Sequence, residues 1–248
     1  MSYSFRNATC PPSKARDLES IAERRGWKAN VSCPTKSKGG TAVLLRTDTF
    51  SGTKAVVDRH VGNSLDGGIC AVDTSLGGNK LRLASVYVPV VPAERKIFLE
   101  KLEAEKVLTP KTITQGDWNC VADVALDIRY VDASKDPSAS INTHGNSCEA
   151  LLTKSGLTDV FRLIHGNQAD YTRRGNTVWK RLDRFYGPDR DSNWRWTEVG
   201  ACPLFYRGHK GSSDHLAVKA TIEWAKDRKP TKADRRIDPR VMKDPLVR

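Results

Sequence analysis

Apolar residues recur along this chain in two rhythms. Over residues 14–25, Ala15, Leu18, Ile21 and Ala22 share one face at helical spacing, with Ser13 placed to cap the first turn and Gly26 to stop the last. The pattern then shortens to β-rich runs separated by Gly, Asn and Asp: Trp27 to Val31, Thr41 to Arg46, Thr53 to His60, Gly68 to Asp73 and Leu81 to Val88. Runs so spaced predict antiparallel strands rather than alternating βαβ units. Pro89 and Pro92 end the last run. Pro92 suits the first turn of a helix carrying Ile97, Phe98, Leu99 and Leu102, with charged residues on its other face.

The second half repeats the order of strands, helices and strands. Lys111 to Gln115 reads as a short buried strand that delivers the turn Gly116-Asp117-Trp118-Asn119. Asn146 to Lys154 is a second amphipathic helix stopped by Gly156, and Asp132 to Asn146, rich in Ser, Asp, Asn and Pro, is a surface loop. Lys180 to Tyr186, Trp196 to Cys202 and His215 to Ile222 are further strands. From Ala225 the apolar pattern stops. The division is therefore a globular body over 1–224 and a basic, linker-like tail over 225–248.

Charge adds the first functional constraint. The 248 residues carry a formal charge of +12. The tail holds nine Lys and Arg against four Asp, so +5 of that charge lies there and the body is basic in its own right. The balance favours a polyanionic partner such as nucleic acid over a small phosphate ester. Too apolar for a disordered chain, the composition also excludes collagen-like and disulfide-scaffold classes. No run reaches the ~18 apolar residues of a bilayer span, and the N-terminus lacks the basic and apolar regions of a secretory signal. An intracellular protein without a membrane partner is expected. The six cysteines show no CxxC or zinc-type spacing and are expected to be reduced, mostly buried thiols.

Three acid-bearing turns stand at strand ends: Gly116-Asp117-Trp118-Asn119, Arg181-Leu182-Asp183-Arg184 and Ser212-Ser213-Asp214-His215. Each alone is an ordinary turn; Asp after Gly is common in loops. Together they hold the groups that phosphodiester hydrolysis needs. Asp and Asn oxygens suit a hard ion such as Mg²⁺, which can polarise a phosphoryl oxygen. An imidazole can steady the phosphate or move a proton while a carboxylate fixes its tautomer, and His215 with Asp183 is the candidate pair.

On these residues the sequence resembles the endonuclease/exonuclease/phosphatase superfamily of exonuclease III-like nucleases, and within it the endonuclease domain of non-LTR retrotransposons. The likeness spans about residues 27–224 and rests on Gly39 to Leu45, on Val86-Tyr87-Val88-Pro89 with Arg95 and Phe98, on Gly116 to Cys120, on Gly156 to Arg162, on Arg181 to Arg184 and on Ser213-Asp214-His215. It implies an α+β fold, a four-layer α/β/β/α sandwich of two mainly antiparallel sheets, and a Mg²⁺-dependent phosphodiesterase for which Mn²⁺ can substitute. It makes Asp117 the carboxylate that positions or activates the attacking water and Asn119 a phosphate or metal contact. Asp214 becomes a metal-side ligand, His215 the phosphate-contacting imidazole, Asp183 its orienting partner and Tyr87 a phosphate-contacting phenol. Tyr171-Thr172 falls where relatives carry Tyr-Thr-Trp, but Arg173 and Arg174 follow here. Those two, with Lys180, Arg181 and Arg184, are candidate phosphate contacts, a solvated basic face being the plain alternative.

The chain also departs from the family pattern. An opening strand bearing Asn and a second strand ending in Gln-Glu-Thr are not visible. Phe5 to Thr9 is the best match to the second strand and puts Ala8 where a metal-binding Glu belongs. Loss of that carboxylate predicts weak metal affinity and impaired activity, and loss of a strand predicts an open sheet edge. The resemblance thus implies a frame truncated or decayed relative to an intact retroelement endonuclease, whose linker would lead to a reverse transcriptase and which would work in the nucleus. The competing readings are a catalytically silent nucleic-acid-binding remnant and, disfavoured by the charge, a phosphatase acting on a lipid head group.

Overall fold

The computed structural model describes residues 2–5, 12–33, 40–56, 65, 67–136, 144–189, 194–202 and 214–224. Among them the elements run β1 (Ser2–Phe5), α1 (Pro12–Arg24), β2 (Trp27–Ser32), β3 (Gly40–Arg46), β4 (Phe50–Ala55), β5 (Ile69–Leu76), β6 (Asn79–Tyr87), α2 (Pro92–Ala104) and β7 (Thr112–Asp117). They continue as α3 (Val124–Asp127), β8 (Ile128–Tyr130), α4 (Gly145–Lys154), β9 (Thr158–Asp159), α5 (Val160–His165), β10 (Arg173–Arg174), β11 (Val178–Lys180), β12 (Asp183–Gly187), β13 (Trp194–Cys202) and β14 (Ala217–Trp224).

A six-stranded sheet in the order β4-β5-β6-β7-β12-β9 forms one half of an α+β sandwich. All its pairings are antiparallel except β6 with β7, whose crossover contains α2. The outer face of this sheet is covered by α2 and α4 through a core that includes Phe98, Leu102, Trp118, Leu152 and Tyr186. The α2 helix opens as the sequence predicts, with Pro92 in its first turn. Against the inner face lie β1-β3-β2, with α1 beyond them on Ala29, Val31 and Ala42, and the pair β13-β14. Four layers result, as expected.

The second layer is split. β1 lies over β6 and β7, β14 lies over β12, and among the described residues no strand joins β1 to β14. The inner-face residues Leu81, Leu83 and Phe185 of the large sheet are accordingly only partly buried.

Several boundaries differ from expectation. The strand sought at Phe5 to Thr9 runs Ser2–Phe5 instead, and Ala8 lies outside the described residues, as do Ser213 and the tail. On α1, Ile21 turns out to solvent because the helix packs through Ala15, Leu18 and Ala22. The run Lys180 to Tyr186 is not one strand: it leaves a small sheet, β10-β11-β8, after Lys180 and joins the large one at Asp183. Cys33 is disulfide-bonded, contrary to the expectation of reduced thiols; Cys70, Cys120, Cys148 and Cys202 are in no disulfide.

Candidate active site

Strand register assembles the site. In the parallel pair β6/β7, Tyr87 stands opposite Asp117, and in the antiparallel pair β7/β12, Asp117 stands opposite Asp183. Facing residues point to the same side of a sheet, so Tyr87, Asp117 and Asp183 form one row at its end. Gly116 permits this packing: a Cβ there would meet the Val86 carbonyl oxygen at 1.8 Å. The chain then turns through Asn119, which adopts a left-handed conformation (φ 49°) that Asn tolerates better than most residues. Its amide hydrogen-bonds Asp117 Oδ1 at 3.0 Å and its Nδ2 donates to the Val88 carbonyl at 2.6 Å. The side-chain oxygen of Asn119 is the end left to act as a ligand.

His215 arrives from the far side of the sandwich. Residues 214–216 pair with 172–174 through Arg174 N to Asp214 O (3.0 Å), Leu216 N to Thr172 O (2.6 Å) and an isolated bridge between Arg173 and His215. Nδ1 of His215 lies 2.5 Å from Asp183 Oδ2, and both side chains are more than 90% buried. The Thr172 hydroxyl donates to the same Asp183 oxygen at 2.8 Å while accepting from the amides of Leu182 and Asp183. Thr172 is thus the residue that fixes the carboxylate. The sequence showed it only as half of Tyr171-Thr172; no role was legible there. Ligand atoms of Asp117, Asp183 and His215 lie within 4.8 Å of one another.

Asp214 is half exposed, receives Arg173 Nε at 2.8 Å, and has Oδ1 at 4.0 Å from His215 Nε2. Burial pushes its carboxyl up, but His215 and Arg173 together outweigh this and hold it below the usual carboxylate range. Arg173, expected on phosphate, is turned to this carboxylate. Lys180 pairs opposite Arg173 in the small sheet, and Arg174 is exposed on that sheet's other face.

Two arginines require correction. Arg184 is fully buried, donates to Glu149 (2.9 Å) and to the Cys120 carbonyl (2.8 Å), and has no surface with which to meet a phosphate. It anchors the turn that carries Asn119. Arg181 is equally enclosed between Asp127 (2.7 Å) and Asp159 (2.6 Å), with Arg162 also on Asp127. A guanidinium fits two carboxylates through its planar fork of donors, and this clamp fixes the residue two places before Asp183.

The same clamp sets an acid limit on stability. Burial would raise the Asp127 carboxyl, yet the charge and hydrogen bonds of Arg181 prevail and hold it below its ordinary value. A folded-state value below the unfolded one means that this stabilisation is complete above about pH 4 and is lost as pH falls through the lower folded value. Thermal melts are expected to be flat from about pH 7 to 5 and to fall below about pH 4. Asp127→Asn should start lower and fall less steeply; an unchanged slope would assign the acid limb to other carboxylates.

No family model matches the chain. Solved structures do. A 3′-5′ exonuclease (NExo) from Neisseria meningitidis is 18% identical over 83% of each chain with a TM-score of 0.62, and the Neisseria protein has also been solved with a product DNA hairpin. An AP endonuclease from Archaeoglobus fulgidus is 20% identical over 82% of each chain, TM-score 0.60. The chain has the endonuclease/exonuclease/phosphatase fold. The endonuclease domain of TRAS1, a telomere-specific non-LTR retrotransposon, is also similar, 16% identical over 90% of this chain and 98% of that one, TM-score 0.54. At these identities the likeness establishes the fold, and in this fold the row of Tyr87, Asp117 and Asp183 ends at His215.

Proposed function

We propose that this chain is a metal-dependent phosphodiesterase that cleaves DNA in the manner of a retroelement endonuclease, with activity reduced by an incomplete metal site. The observation that carries the reading is the buried Asp183–His215 pair beside Asp117. With Nδ1 engaged by Asp183, proton exchange with substrate runs through Nε2. Asp117, beside the pair, is the group that orients a water for attack. Tyr87, at the end of the same row, is placed to donate to a phosphoryl oxygen.

The donor set fits a hard cation. Asp117 and Asp183 of the cluster offer carboxylate oxygens, the ligands that Mg²⁺ and Mn²⁺ take, and Asn119 and the half-exposed Asp214 are the further oxygen donors of this reading. Such an ion, when bound, stabilises charge on the phosphoryl and leaving oxygens. The ion pair of Arg173 with Asp214 competes with that role, and it favours the second reading, a nucleic-acid-binding remnant without turnover. DNA as substrate is supported by the net charge of +12 and by the Neisseria neighbour's bound DNA hairpin. A link to a reverse transcriptase and a nuclear site of action are part of the same proposal.

The deciding experiment is nicking of supercoiled plasmid with Mg²⁺ or Mn²⁺, with and without EDTA. Slow, EDTA-sensitive nicking is the expected result. Intact plasmid after long incubation, alongside salt-sensitive binding that ignores EDTA, would select the remnant.

A further inference from the structure

Outside the small sheet and the Asp117–Asp183 pair of the candidate site, charges that face each other across the described paired strands are of opposite sign. Asp73 stands opposite Arg82 and Arg195 opposite Glu223, each pair forming an ion pair. The small sheet breaks this habit. Its register puts Arg174, Trp179 and Arg129 opposite one another across β10, β11 and β8. The Arg174 and Arg129 guanidinium carbons lie 5.2 and 5.5 Å from the indole centre, and the Tyr171 ring lies 6.1 Å away. Neither arginine has an acidic partner among the described residues, and both are exposed.

Strand alternation separates this row from the catalytic cluster. Ile128 and Val178, which pack into an apolar cluster with Leu182, lie on the reverse face with Lys180 and Arg173. Each guanidinium lies over the indole as a cation on a π-system, and neither has a carboxylate among the described residues to neutralise it. The indole adds a flat apolar surface between the two charges.

We infer that the Arg129, Trp179 and Arg174 row is a binding site for single-stranded nucleic acid, in which an unpaired base stacks on the indole while flanking phosphates meet the two guanidiniums. This rests on the reading of nucleic acid as substrate and adds an unpaired segment to the DNA that the chain engages. Stacking needs an unpaired base, because a duplex hides its π-faces. The row is carried by the β10/β11 hairpin, whose Thr172 and Arg173 hold Asp183 and Asp214. A strand bound there runs beside the catalytic cluster, with its bases on the side of the hairpin away from it.

The test uses a fluorescein-labelled oligothymidylate and a hairpin duplex of equal length, with anisotropy read in EDTA over a salt series. Trp179→Ala is expected to weaken single-strand binding at least about tenfold and duplex binding less. Trp179→Phe should keep most of the affinity. Arg129→Gln with Arg174→Gln should lower the log–log salt slope by about 1.4, two phosphates at ~0.7 each. Plasmid nicking by the same proteins separates the two claims. Nicking absent while the row variants weaken binding would remove the nuclease and leave the row. Nicking present with affinity and slope unchanged in all three variants would overturn the row. A Trp179→Ala loss that is equal for heparin and oligothymidylate would also overturn it, since it would show a site that reads charge without bases.

Discussion

His215→Ala is expected to lower metal-dependent plasmid nicking by about 10²–10⁴-fold, the range over which a positioned acid–base group contributes. Asp183→Asn should fall in the upper part of that range. The reason lies in which nitrogen carries the proton. Asp183 Oδ2 accepts from His215 Nδ1 and from the Thr172 hydroxyl. An amide at 183 can turn its NH₂ toward Nδ1, which then accepts and leaves Nε2 protonated, the wrong tautomer for accepting a proton from water. In a comparable pair the cost is on the order of 10⁴. The fold should survive, since neither side chain belongs to an apolar cluster, so circular dichroism and the melting midpoint serve as controls. Activity within a few-fold of the parent in both variants would show that the pair is structural and would return the chain to the binding reading.

The second large effect concerns stability. Arg181→Ala is expected to cost about 3–5 kcal/mol, because it leaves the buried Asp159 without its cation and Asp127 with Arg162 alone. Asp127 and Asp159 both hydrogen-bond this guanidinium, and Asp159 also caps α5 through the amides of Phe161 and Arg162. The loss would spread from the β12 entrance to the helix. Asp127→Asn combined with Arg181→Ala should recover part of it, by removing one buried charge. Urea unfolding of both single variants and the double variant beside the parent measures the coupling. If the double variant were as unstable as the sum of the two single losses, the clamp would not be an electrostatic unit.

Those two examples mark what the sequence makes legible. Asp117, Asp183 and His215 can be read locally because each sits in a polar cluster at the end of an apolar run, and a sheet presents such positions at its edge. Strand order needs more than local pattern: the helix from Pro92 is a crossover that lets β6 and β7 pair in parallel, where the spacing of runs predicted antiparallel strands. Arg181 and Arg184 cannot be read that way. Flanking an Asp in a basic chain, they look solvent-facing, and only their partners reveal the burial: Asp127 and Asp159 for one, Glu149 for the other. Those partners are distant in sequence and lie on α3, β9 and α4, of which the pattern predicted only α4. Thr172 escaped for the same reason. Its hydroxyl has meaning only once β12 passes beside it.

The split of the run Lys180 to Tyr186 was hidden by chemistry rather than distance. Val178 to Tyr186 alternates well enough for one strand, but Arg181 is drawn inward by two acids. The chain therefore leaves one sheet and enters another within two residues.

The register of the catalytic row also has a kinetic meaning. Tyr87, Asp117, Asp183 and His215 are contributed by segments that span 129 positions of the chain, and they meet only through β6/β7, β7/β12 and the bridge from Arg173 to His215. Contacts of such sequence separation close slowly, since the chain entropy of each large loop must be overcome before the contact gives anything back. Each helix and hairpin can form while the cluster does not yet exist. The cluster is therefore a property of the completed topology, absent from any intermediate in which the two halves of the chain have folded but not docked.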